Sequence, residues 1–134
     1  MNRFLTSTVV GAVVLFIGGF VIWGVLLAGF MADHVNADAM IDPPIWWALI
    51  VSQFFWGALL TLAIQNWTNT KGWQAGAKLG ATIGLLIGFA VDLGMYSMTT
   101  LSDLTLTIVD PFAMAVNMGL AGAAIGWLSG RGSE

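Results

Sequence analysis

Apolar positions fall into four long blocks separated by short polar stretches. Uncharged segments run from Phe4 to Ala32, Pro43 to Thr70, Leu79 to Val91 and Pro111 to Gly130. Three of them exceed the ~20 residues an α-helix needs to cross ~30 Å of hydrocarbon. The third reaches that length once Lys78 extends its ammonium toward the headgroups and Asp92 is placed within the span. The pattern predicts an all-α fold, a polytopic four-transmembrane-helix bundle. It forms a single transmembrane domain over residues 1–134, with helices at about 8–31, 45–66, 75–98 and 110–128.

Within the third helix one face repeats every four residues: Gly72, Gly76, Gly80, Gly84, Gly88, then Asp92, Tyr96 and Thr100. Residues four apart lie on one ridge of a helix, so these glycines make a smooth groove for another helix backbone. Glycine costs a helix about 1 kcal/mol per residue in water, whereas small-xxx-small faces drive helix association in lipid. We expect glycine-zipper packing of Gly76, Gly80, Gly84 and Gly88 against the first helix or against an equivalent helix of a second subunit. Two small-residue ridges on the last helix, Ala115-Gly119-Ala123 and Gly122-Gly126-Gly130, offer another partner for that face.

The connections carry the remaining polar residues. Asp33, His34, Asp38 and Asp42 make the first loop acidic, and Pro43 and Pro44 fix an extended entry to the second helix. One histidine with loosely spaced carboxylates supplies too few convergent ligands for a transition metal, so the loop reads as solvated and no metal is assigned. Trp46 and Trp47 form one interfacial aromatic belt, and Trp67 and Trp73 flank a polar second turn. The segment Ser97 to Val109 reads as a partly apolar third loop. After it, Asp110 as N-cap and Pro111 at the first helical position would start the last helix.

Composition agrees with the pattern: 58% of residues are apolar and 8% charged. Mean hydropathy is +0.89. Four basic residues without a cluster, in a chain of net charge −3, give no nucleic-acid partner. The absence of cysteine removes disulfides and thiolate chemistry. With one histidine, in a loop, and no nucleophile-base constellation in a helix, we expect no enzyme. Arg3, Lys71, Lys78 and Arg131 fall at the two termini and the second turn, which places both termini in the cytoplasm of a bacterial inner membrane.

Polar side chains inside the spans are few, and by helical rise Asp92, Gln53, Asn117 and Trp23 share a depth about 10–13 Å below the outer interface. Tyr96, one turn beyond Asp92, and Asp110, near the mouth, would connect this candidate ligand or proton site to outer water. The segments Val91-Asp92-Leu93-Gly94-Met95-Tyr96, Thr99-Thr100-Leu101 and Ile108-Val109-Asp110 resemble small bacterial four-helix membrane proteins catalogued as domains of unknown function. The resemblance spans the last two helices and implies no activity. Where those proteins place an Asn soon after the Asp-Leu pair, this chain has Gly94 and Met95.

The expected role is that of a small binding or accessory subunit, holding a lipophilic ligand or partner helices on its glycine-rich faces. The alternative is a small oligomeric transporter or ion or proton pathway using Asp92. Membrane lipids are the expected partners, with a homo-oligomer or larger membrane complex beside them, and the residues name no cofactor. Topology is tested by cysteine labelling. Asn36→Cys should react with an impermeant reagent in whole cells and Asn69→Cys should be protected, and the reverse pattern would invert the orientation.

Overall fold

The computed structural model describes residues 2–41 and 43–131, so Asp42 of the acidic loop lies outside the described residues. It is helical throughout. Helix α1 (Arg3–Val21) continues through a π-helical turn (Ile22–Leu26) into the short α2 (Ala28–His34). Helix α3 (Trp46–Thr61) ends in a second π-helical turn (Leu62–Trp67), and α4 (Trp73–Met98) and α5 (Leu104–Arg131) complete the chain. Four of these segments are long and apolar enough to cross a membrane: Arg3–Leu26, Trp46–Trp67, Trp73–Met98 and Leu104–Arg131. Among the described residues the only β pairing is an isolated bridge between Val35 and Ser102.

The last helix departs from expectation. It starts at Leu104 rather than residue 110, because Asp103 accepts a hydrogen bond from the Leu106 amide at 2.9 Å and caps the free amides. Leu104, Leu106, Ile108 and Val109 then continue the helix, and Pro111 lies inside it. A proline cannot donate to the carbonyl four residues back and crowds that turn. Here the neighbouring helix makes room, since a Cβ built on Gly88 would stand 2.7 Å from the Pro111 Cα. Asp110 is therefore no cap, and its side chain is free to point into the bundle.

Helices α4 and α5 run antiparallel in closest contact. Gly76, Gly80, Gly84 and Gly88 are all buried, and each lies under the backbone of α5 rather than α1. A side chain at Gly76 would collide with the Gly122 carbonyl, one at Gly80 with that of Met118, and reciprocally one at Gly122 with that of Gly76. At the start of α4, Gly72 adopts φ 94° and donates its amide to the Gly126 carbonyl at 2.9 Å. That positive φ, which favours glycine, aims its N–H across to the other helix.

The other side of α5 meets α1, again antiparallel, through three polar rungs. Arg3 donates to the Ser129 carbonyl at 2.9 Å, Asn117 Nδ2 to the Leu15 carbonyl at 3.2 Å, and Trp23 Nε1 to Asp110 Oδ1 at 2.7 Å. Helix α3 crosses α1 at Gly57, where an added Cβ would lie 2.7 Å from the Thr8 carbonyl. Leu15, Leu60, Ile64, Met118, Ala121 and Ile125 fill the space between α1, α3 and α5. Helix α5 is the hub, and α4 stands outside it with Leu86, Val91 and Leu93 exposed.

Two polar clusters close the ends. At the end carrying Arg3 and Arg131, Gln65 Nε2 donates to Ser7 Oγ at 2.7 Å and Ser129 Oγ at 3.1 Å. At the opposite, acidic end, the Asn36 amide donates to the Leu101 carbonyl, and the His34 ring pairs with Asp103. The Leu106 amide and then the His34 ring hold the Asp103 carboxyl below its ordinary value. Its contribution is therefore fully present above the ordinary aspartate value of ~3.9, and is lost as pH falls through the lowered folded value.

The α4–α5 contact generates a test. In Gly84→Leu the new Cβ would stand 2.7 Å from the Met114 carbonyl and 2.8 Å from Met118 Cβ. The variant should lose about 1–3 kcal/mol of stability by overpacking. Gly94→Leu, on the same helix with nothing within 4 Å, should melt as the parent does. Equal melting of the two variants in detergent would contradict the contact.

Candidate functional site

Three helices each turn one short stripe toward a common space. On α1 and the turn after it the stripe is Phe16, Phe20 and Trp23; on α3 it is Leu49, Gln53 and Trp56; on α5 it is Asp110, Met114 and Asn117. Each set has the spacing i, i+4, i+7, which places three side chains on one helix face. Together with Met31, Met40, Pro44 and Trp46 from the acidic end, they enclose a cavity of about 680 Å³. Of the lining residues, Phe20 and Gly24 on the first helix and Met40, Pro44, Trp46 and Leu49 around the start of α3 are exposed. The mouth accordingly lies between the acidic ends of α1 and α3.

The polar groups in this apolar wall are held by specific contacts. Trp23 sits in the π-helical turn, where the Leu27 amide bonds to the Ile22 carbonyl at 2.8 Å, five residues back. Such a turn widens the helix locally and re-aims its side chains, and it directs the Trp23 indole N–H onto Asp110. Among the described residues Gln53 Nε2 donates only to its neighbour Ser52 Oγ, at 3.2 Å. Asn117, 6% exposed, donates to Leu15, and its Oδ1 is buried without an N–H or O–H donor among the described residues. That oxygen occupies the space a side chain at Gly18 would need, so the missing Cβ of Gly18 is what admits the amide.

Of the six residues singled out for a polar site, Trp23, Gln53, Asp110 and Asn117 line this one cavity. Asp92 and Tyr96 do not. Asp92 lies behind the wall in the α4–α5 seam, one turn beyond the Gly88–Pro111 contact, a register that sets it near Asp110. Its Oδ2 is buried and receives no N–H or O–H bond among the described residues. Tyr96 is exposed. Asp110 therefore bridges two environments, with the Trp23 indole on one side and the Asp92 carboxyl on the other.

Sequence reasoning passed over the aromatic wall. Phe16, Phe20 and Trp56 were legible only as apolar residues of their spans, although their 3-and-4 spacing with Trp23 and Gln53 is the signal that could have grouped them. The Ser7, Gln65 and Ser129 cluster was missed because Gln65 reads as the start of a polar turn. His34 faces Asp103 rather than Asp33 or Asp38, and among the described residues no third such side chain joins the pair. No protein-family model, curated protein or solved structure matches the chain.

The Gly18–Asn117 fit can be tested on its own. Gly18→Ala should displace the amide, break its bond to Leu15, and lower stability by about 1–3 kcal/mol. In an Asn117→Ala background the same change should cost much less. A double-mutant cycle with additive effects would show that the two residues do not act on each other.

Proposed function

We propose that this chain is a small multi-pass membrane protein that holds a lipophilic ligand in the cavity between α1, α3 and α5, as a binding or accessory subunit. The cavity itself carries this reading. Its volume of about 680 Å³ falls in the range of small-molecule sites, and its wall is apolar with a few fixed polar groups. Its mouth lies along the flank of the bundle below the acidic end, a position from which a hydrophobic molecule could enter from the bilayer. We read the Gly76, Gly80, Gly84, Gly88 register as a zipper used within the chain, which leaves ligand binding better supported than a partner helix on that ridge. The basic end, with Arg3, Lys71, Lys78 and Arg131, is assigned to the cytoplasm of a bacterial inner membrane. Membrane lipids cover the outward apolar side chains, and a homo-oligomer or larger complex would use faces other than the zipper.

A second reading, a proton or cation pathway, is favoured by the proximity of Asp92 and Asp110 that the Gly88–Pro111 contact sets up. It needs the same cavity as its approach and does not displace the first.

Filling the cavity tests the proposal. A Cβ on Gly19 would make ordinary contacts, 3.6 Å to Asn117 Nδ2 and 3.6 Å to the Trp23 ring, so a larger side chain there has room to begin and projects among the lining residues. The wild type should bind the neutral probe N-phenyl-1-naphthylamine saturably. Gly19→Phe should weaken this at least about tenfold while melting within a few degrees of the parent, since about 1.4 kcal/mol of lost contact is a factor of ten. Equal binding by both proteins would sink the cavity assignment.

A further inference from the structure

Resting on the cavity reading, we infer that the site is selective for lipophilic cations, molecules that carry an onium or ammonium charge on an apolar body. Three observations converge on this class. The first is the sign of the wall. Among the described residues Asp110 is the one ionisable group lining the cavity, and no lysine, arginine or histidine lines it. All four basic residues of the chain sit at the far end of the bundle. A cation in the cavity would therefore meet a carboxyl without competition from a resident basic side chain.

The second observation is the placement of Asp92 behind Asp110. Asp92 stands one turn beyond the Gly88–Pro111 contact, so the register of the seam sets a second carboxyl close behind Asp110 and adds to the acidic character of this part of the wall. Trp23 Nε1 holds Asp110 Oδ1 from the cavity side at 2.7 Å, fixing the orientation of the inner member. From the elements packed around the pair, α4 contributes Asp92 and the exposed Tyr96, α5 contributes Asp110, and α1 and α3 contribute no titratable side chain near it. His34 and Asp103 satisfy each other at the acidic end. Among the described residues no basic side chain lines the cavity beside the pair, and in a low-dielectric wall a charge without a counterion is costly. A bound cation removes that cost, whereas a bound anion adds to it.

The third observation is the aromatic content of the wall. Phe16, Phe20, Trp23, Trp46 and Trp56 all line the cavity. The faces of such rings attract a cation within about 6 Å, most strongly where water is absent. A purely neutral lipid tail would need neither the carboxyl pair nor this density of indole. Together the acid, the rings and the apolar remainder fit a delocalised or alkylated cation better than a neutral or anionic amphiphile.

Tetraphenylphosphonium and tetraphenylborate separate charge from shape, since they match in size and hydrophobicity and differ in sign. Binding of each to the purified full chain in dodecylmaltoside, corrected for empty micelles, should favour the phosphonium by at least about tenfold. That ratio should fall toward one in both Asp110→Asn and Asp92→Asn. The asparagine oxygen of Asp110→Asn can still accept the Trp23 bond, and Asp92→Asn leaves the cavity wall itself untouched, so a fold defect in one variant leaves the other to decide. Structural damage would weaken both ions alike and leave the ratio unmoved. Phosphatidylethanolamine added to the micelles distinguishes the two sources of such a cation: competition with the phosphonium marks a lipid headgroup as the ligand, and its absence marks a free organic cation, either within the proposed class. If the neutral naphthylamine probe binds but the phosphonium shows no advantage over the borate, cation selectivity is overturned while the cavity reading stands. If none of the three binds, both fall together.

Discussion

The close approach of α4 and α5 sets the geometry of everything else. Carbonyl oxygens of each helix lie where side chains of the other would begin, at Gly76, Gly80, Gly122 and Gly126. Such an approach is open only to glycine, and it replaces side-chain interdigitation with backbone contact over most of the span. In hydrocarbon, where burying apolar surface supplies no driving force between helices, dense packing and weak Cα–H···O contacts are what hold two helices together. The seam also fixes the register of α5. Gly88 accommodates the Pro111 backbone, and that placement brings Asp92 opposite the first turns of α5 and beside Asp110.

With its glycine face committed to α4, α5 turns its remaining polar residues toward α1. Arg3, Asn117 and Trp23 make rungs near the basic end, the middle and the acidic end of that pair. Between the middle and outer rungs the helices are held apart, with bulky Phe16, Phe20, Trp56 and Met114 standing around a cavity instead of filling it. Two of these polar side chains, Asn117 and Trp23, have two jobs. Each satisfies itself on a neighbouring helix, as buried polar groups in an apolar medium must, and each marks the wall of the space the helices leave open.

The acidic-end clamp has a related role. His34, Asn36 and Leu101 tie the first loop to the third, so Met40, Pro44 and Trp46 at the cavity mouth lie close to a fixed point. The Asp103 that caps α5 is the same residue that holds His34. Moving the start of that helix from residue 110 to residue 104 is what releases Asp110 for the interior, where it lines the cavity.

The four candidate spans and the all-helical class were determined by the sequence itself, because composition and periodicity act within a single segment. Trp23, Gln53 and Asn117 could be placed at one depth from helical rise alone, and the structure puts them on one cavity with Asp110. Which helix the glycines touch, and whether Asp92 faces a cavity or a seam, depended on how the spans pack around one another. Sequence spacing describes the face of one helix and carries no information about which other face covers it. The start of α5 was misread for a similar reason: Asp110-Pro111 is a good local start signal, but Asp103 is an equally good one, and only the neighbour's glycine at position 88 makes a proline inside the helix tolerable. Tertiary structure decided these points because contacts between helices, and not preferences within them, determine which of several acceptable local arrangements is the lowest in free energy.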